Sequence, residues 1–179
     1  MLSNTEFETI YEEYKNLVYN LALSYVHNQE DAQDIAQEVF VKIYQRFHIY
    51  NPAASSLKTW VYQITINHSL DFIKARKTKK RFGFITGLFH PETNEPIADS
   101  GHFDHPGIAL EDKEELQNLF SIIDALPDNQ RTAIILSKIE DRPQKEVAEI
   151  MDISVKAVES ILQRAKTTIS KKIASREGF

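Results

Sequence analysis

The sequence predicts an all-α protein of two small helical domains joined by a flexible linker. Three observations predict it. Apolar residues recur every three or four positions over most of the chain, no segment shows a convincing two-residue strand alternation, and glycine and proline gather in one internal stretch. Residues 82–110 hold four of the five glycines and three of the six prolines, with no Lys or Arg and with the acids Glu92, Glu95, Asp99 and Asp104. That composition reads as an extended acidic linker, which divides the chain into domains over residues 1–81 and 111–179.

The front domain reads as three helices. Ser3 followed by Glu6 makes a capping-box pattern, after which Phe7, Ile10, Tyr11, Tyr14, Leu17, Val18, Leu21, Ala22 and Tyr25 keep helical spacing to about His27. Asn28 is placed to cap the second helix, whose stripe is Ala32, Ile35, Ala36, Val39, Phe40, Ile43, Tyr44 and Phe47. Asn51 and Pro52 stop that rhythm, His48 to Ser56 reads as a loop, and Ser55 or Ser56 caps a third helix starting at Leu57. The third helix runs into the basic cluster KARKTKKR at residues 74–81, with six cationic side chains in eight positions.

In the rear domain, residues 144–166 form two amphipathic patterns around a short turn. Val147, Ala148 and Met151 make one apolar stripe, and Val155, Val158, Ile161, Leu162 and Ala165 make the other. Asp152, Ile153 and Ser154 fit the turn, with Ser154 as N-cap. The outer side of the second helix then carries Lys156, Glu159, Ser160, Gln163, Arg164 and Lys166. This is the outline of a helix-turn-helix, in which early residues of the second helix reach base edges and cations hold phosphates. Helical hairpins with polar outer faces also occur in bundles that bind nothing.

Composition narrows the function classes. The chain has 21 Lys and Arg against 26 Asp and Glu, a net charge of −5, so any affinity for DNA comes from local patches. Residues 1–73 hold nine acids and four bases, whereas residues 154–179 hold six bases and two acids. An acidic front surface suits a cationic protein partner, and the two basic surfaces suit phosphate. The absence of cysteine excludes disulfides, thiolate metal sites and cysteine nucleophiles. No apolar run approaches the ~20 residues that span a bilayer, and the N-terminus is acidic and amphipathic, unlike a signal peptide. A cytoplasmic protein without membrane insertion is expected. His90, His102 and His105 sit in the linker at irregular spacing, which argues against a metal cluster, and no cofactor is expected.

Two sets of residues resemble a known family. Asp31-Ala-Gln-Asp34-Ile-Ala-Gln37-Glu38-Val39-Phe40, followed by Trp60-Val-Tyr-Gln-Ile64-Thr-Ile-Asn67-His-Ser-Leu-Asp71 and a basic tail, is similar to region 2 of the extracytoplasmic-function (ECF) sigma factors of bacterial RNA polymerase. Leu126-Pro127, Gln130-Arg131, Glu146-Val-Ala148, Val158, Ser160, Arg164 and Ala165 resemble region 4. The resemblance implies a non-enzymatic initiation factor. Its partners would be core RNA polymerase, through the β′ clamp helices and β flap, promoter DNA and an anti-sigma factor.

The resemblance also implies residue roles. Asp34, Gln37 and Glu38, on neighbouring surface of one helix face, would dock on the clamp helices, accepting bonds from Arg or Lys. Lys58, Asn67, Asp71, Lys74, Arg76, Lys77, Lys80 and Arg81 would hold the separated minus-10 strand, and Trp60 would support the loop from the core. Ser154, Lys156, Glu159, Ser160, Gln163, Arg164 and Lys166 would meet the minus-35 duplex. The linker, sharing the sign of RNA, would suit a cationic channel of the polymerase, although a spacer without contacts has the same composition. Ala157, Ile161 and Asp152 depart from the family's usual Thr, Arg and Gly, and loss of a hydroxyl and a guanidinium removes phosphate contacts. A stand-alone helix-turn-helix regulator is the competing reading; it leaves the acidic motif of helix two unexplained. An all-α hydrolase has less support, because no nucleophile with an adjacent base is evident.

Overall fold

A computed structural model describes the backbone over residues 2–87 and 110–176, and side chains over 2–79 and 116–175. The linker histidines His90, His102 and His105 lie outside the described residues. The described residues are helical, without strands: α1 (Asn4–Val26), α2 (Gln29–Arg46), α3 (Leu57–Gly87), α4 (Leu110–Asp124), α5 (Asp128–Ile134), α6 (Gln144–Met151) and α7 (Val155–Arg176).

The helix ends follow the local chemistry of the sequence. The Ser3 hydroxyl accepts from the Glu6 N–H at 3.3 Å while Glu6 accepts from the Ser3 N–H at 2.9 Å, a complete capping box. The Ser3 hydroxyl, 2.7 Å from the Glu6 carboxylate, and then the Ser3 N–H donate to that carboxylate and hold the Glu6 carboxyl below its ordinary pKa. Asn28 accepts from the Asp31 N–H at 2.9 Å, and Ser56 accepts from the Thr59 N–H at 3.0 Å. α2 ends at Arg46, and one 3₁₀ turn (Phe47–Ile49) precedes the loop. α3 runs through Gly87, past the expected boundary at Arg81. Leu126-Pro127 leads into α5, while Gln130 and Arg131 lie inside it, and the helix then widens into a π-type turn over Ile135–Ile139.

α1, α2 and α3 pack into a front lobe around Val18, Ala22, Ile35, Val39, Ile43 and Val61, all fully buried. The rear lobe, α4 to α7, does not close on itself alone. One continuous cluster joins Leu21, Tyr25, Tyr62 and Ile66 of the front lobe to Leu126, Ile135, Leu136, Val147, Ile150 and Val158 of the rear lobe. The lobes therefore share a core, which the sequence left open. Tyr25 donates to the Thr132 hydroxyl at 2.8 Å, and Gln63 donates to the Ile150 carbonyl at 3.1 Å. Arg131, only 3% exposed, pairs with Asp124 at 2.8 Å and stands 5.3 Å from the Tyr25 ring centre.

A shared core couples the stabilities of the lobes. Leu136→Ala in the rear lobe should cost about 2–5 kcal/mol. It should also lower the urea midpoint read from the fluorescence of Trp60, the sole tryptophan, in the front lobe. Independent lobes would leave the Trp60 transition unmoved.

Candidate nucleic-acid interface

Three surfaces carry the residues singled out by sequence. On α2, Ile35, Val39, Phe40 and Ile43 turn inward, so helical spacing leaves Asp34, Gln37 and Glu38 exposed together. Phe40, 5% exposed, is core as expected. Sequence reasoning missed an apolar shoulder beside the acids. Tyr44 was assigned to the buried stripe, yet it is 46% exposed, and Val41 and Tyr11 are exposed alongside. Phe7 holds the shoulder in place, its ring edge-on to Tyr44 at 5.3 Å and to Phe40 at 6.4 Å. The available signal was the gathering of Phe7, Tyr11, Phe40 and Tyr44 in the facing stripes of α1 and α2.

α3 places Asn67 and Asp71 exposed and one turn apart. Lys74 and Lys77 are exposed and Arg76 is half-buried, whereas the side chains of Lys80 and Arg81 lie outside the described residues. Not all these cations face open solvent. Lys58 pairs with Glu146 at 3.3 Å, Lys74 with Asp128 at 2.9 Å, and Arg76 with Asp31. Two of these acids belong to the rear lobe. Trp60 is half-buried against Tyr50 and Phe47, with centroids 5.2 and 6.2 Å away, which agrees with a supporting role. Beside Asn67, His68 accepts from the Lys42 ammonium at 2.6 Å, and its Nε2 is buried without a partner. Burial first, and the Lys42 charge second, push the His68 pKa below its ordinary value.

α6 and α7 make the helix-turn-helix. Asp152 takes the left-handed conformation, φ 54°, which Asp tolerates better than most side chains. Ser154 accepts from the Ala157 N–H at 3.2 Å, the cap expected from sequence. Lys156, Glu159, Ser160, Gln163, Arg164 and Lys166 are all exposed, as is Ser154. Arg164 folds back so that its Nε donates to the Ser160 carbonyl and its Nη2 to the Ser160 hydroxyl, both at 3.3 Å. One detail of the stripe differs. Val155 is 40% exposed, because it stands at the first position of α7 beyond the end of the eight-residue α6. Ile161 is 7% exposed and packs in the shared cluster, as its place in the apolar stripe indicated, so its departure from the family's usual Arg serves the core.

Comparison with known proteins gives consistent matches. Residues 10–79 match the family description Sigma-70 region 2, and residues 116–169 match Sigma-70, region 4. The chain is 31% identical over 159 residues to the ECF RNA polymerase sigma factor SigM of Bacillus subtilis (strain 168), covering 89% of this chain and 90% of that protein. It is 27% identical to the ECF RNA polymerase sigma-E factor of Escherichia coli (strain K12), covering 93% and 86%. Among solved structures, its fold is similar to CnrH in complex with the cytosolic domain of CnrY, with TM-score 0.63 and 20% identity over 97% of this chain and 90% of that one. It is also similar to the sigma factor RpoE in complex with the anti-sigma factor NepR from Bartonella quintana, with TM-score 0.59 and 20% identity over 94% and 97%.

The lowered His68 pKa has a definite consequence for stability. Below pH 6.5 an unfolded imidazole takes up a proton that the folded one resists, so the unfolded state binds more protons and the folded state loses stability as pH falls. His68→Gln should flatten that acid-side slope in urea titrations across this range. An unchanged slope would assign the loss to another group.

Proposed function

The chain belongs to the ECF sigma factors of RNA polymerase, and from that premise we propose how its two lobes share the work of starting transcription. It is a transcription initiation factor, binding core polymerase and directing it to promoters through minus-10 melting and minus-35 recognition. RNA synthesis itself remains the chemistry of the polymerase, and this chain supplies no catalytic residue. Among the described residues no helix is long and apolar enough to cross a membrane. The place of action proposed for the factor is the bacterial cytoplasm, where it would meet the polymerase.

The front unit, residues 1–81, takes core polymerase on α2. Asp34, Gln37 and Glu38 offer carboxylate and amide acceptors to basic side chains of the β′ clamp helices, and Val41 and Tyr44 add apolar contact beside them. The tail of α3 takes the opened minus-10 strand. Lys58, Lys74, Arg76, Lys77, Lys80 and Arg81 follow the phosphates, while Asn67 and Asp71 stand beside the unstacked base. The rear unit, residues 111–179, holds the minus-35 duplex. Ser154, Lys156, Glu159, Ser160, Gln163, Arg164 and Lys166 enter the major groove or clasp its edges, and this unit also meets the β flap. Residues 82–110 tether the two. An anti-sigma factor is a further partner, since the similar RpoE was solved bound to one.

The observation that carries this reading is the joint presence of an exposed acidic face on α2 and an exposed polar face on α7 in one chain. A stand-alone regulator needs only the second. Run-off transcription with core polymerase on genomic fragments tests the proposal, and start-site selectivity should appear only when the factor is added. Absence of selectivity on every template overturns it.

Two variant sets separate the roles. Asp34→Lys with Glu38→Lys should abolish co-elution with core polymerase while circular dichroism and urea midpoint stay near those of the parent, because both side chains are exposed. Lys156→Ala and Arg164→Ala should spare that co-elution and weaken minus-35 duplex binding. Each should reduce the slope of log affinity against log salt by about 0.9 if it removes one phosphate contact.

A further inference from the structure

The two apolar clusters leave a gap where the end of α1 meets α3 and the rear lobe. Phe72 packs on the front cluster, Ile73 on the shared one, and Val26 touches both. A cavity of about 200 Å³ lies among these three side chains and Tyr25, and its polar lining is Arg76, Lys77, Asp124 and Arg131. It is smaller than the roughly 300–1,000 Å³ of pockets that take drug-sized ligands, and it suits one ring with one small substituent.

The charges around the cavity decide what that substituent is. Arg131, 3% exposed, pairs with Asp124, and Arg76 pairs with Asp31. Lys77 meets no carboxylate among the described residues, so one positive charge is left over. Asp124 is also bonded by His27 at 3.0 Å, which divides that carboxylate between two partners. The Nε of Arg131 is buried without any acceptor. A buried donor left unpaired is costly, so the guanidinium retains a demand for an oxygen. A carboxylate seated between Arg131 and Lys77 answers both deficits, because it carries a single negative charge and two acceptor oxygens. A dianionic phosphate exceeds the charge on offer. Phe72 and Tyr25 supply aromatic lining and Val26 and Ile73 aliphatic lining, which favours a flat ring as the body of the ligand.

We propose that this cavity is a binding site for a small aromatic carboxylate, its ring against Val26, Phe72 and Ile73 and its acid group between Arg131 and Lys77. The chain thereby carries a small-molecule input in addition to its protein and DNA partners. Residues of α1, α3, α4 and α5 line the site, so an occupied cavity stabilises the folded chain by mass action. The inference makes no use of the reading of the chain as an initiation factor, and failure of either leaves the other standing.

Benzoate is the probe, titrated into the full chain with carbon-13-labelled Val and Ile methyl groups. The methyl resonances of Val26 and Ile73 should shift saturably with a midpoint of about 1 mM, the range open to a ligand of so few atoms. Benzamide, its neutral isostere, should bind about ten-fold more weakly, and benzoate should raise the thermal midpoint at concentrations where benzamide does not. Lys77→Gln, at an exposed position, should weaken benzoate by about three- to ten-fold and leave benzamide unchanged. Shifts that stay linear to ~20 mM benzoate, or that saturate only at methyl groups away from the cavity, overturn the proposal. Equal affinity for benzoate and benzamide overturns the carboxylate as the ligand's polar group. An unchanged benzoate midpoint in Lys77→Gln overturns the placement of the acid group.

Discussion

A guanidinium buried between two helical lobes sets the geometry on which the other surfaces depend. Taking an arginine out of water costs several kcal/mol unless its donors find acceptors. Arg131 finds two: the Tyr25 carbonyl in the last turn of α1, and the Asp124 carboxylate at the end of α4. The end of a helix is a suitable place for a cation, because its final carbonyls lack helical partners and the helix dipole is negative there. The Tyr25 ring covers the guanidinium, and the Tyr25 hydroxyl reaches back to Thr132, the residue after Arg131. One side chain of α5 is thereby tied to both the backbone and the ring of a single residue in α1.

That attachment fixes which faces are spent and which are left. The rear lobe leans on α1 and α3, so the acidic face of α2 and the outer face of α7 remain in solvent while part of the basic face of α3 is covered. Charge is segregated accordingly in a chain whose net charge is only −5. Exposed carboxylates lie on α2, lysines and arginines lie on α3 and α7, and the interlobe carboxylates Asp128 and Glu146 meet the α3 lysines Lys74 and Lys58 where the lobes join.

Among the described residues, three tight turns are made without glycine. His27, Asp141 and Asp152 all have φ between 50° and 56°. A side chain that bonds locally offsets part of the steric cost of that conformation. His27 closes α1 and donates to Asp124, so the turn that ends the first helix also ties it to the rear lobe. Asp152 closes α6 and aims α7, which places the absence of the usual turn glycine in a position that aspartate fills.

The sequence alone was enough for α1, α2, the start of α3, the helix-turn-helix of α6 and α7, four of the N-caps and the outward faces of α2 and α7, because each of these depends on residues no more than about four positions apart. Ser3 with Glu6, Asn28, Ser56 and Ser154 all cap as their spacing indicated. Tyr11, Tyr44 and Val155 were misread at the same level, since a helical stripe does not say where a neighbouring helix stops covering it. Only the tertiary structure decided that the two lobes share one core and that Lys58 and Lys74 are held by acids of the other lobe. The bonds responsible join residues 106, 107 and 88 positions apart, and whether such groups meet is set by the packing of whole helices and by the cost of burying Arg131, neither of which leaves a periodic trace along the chain.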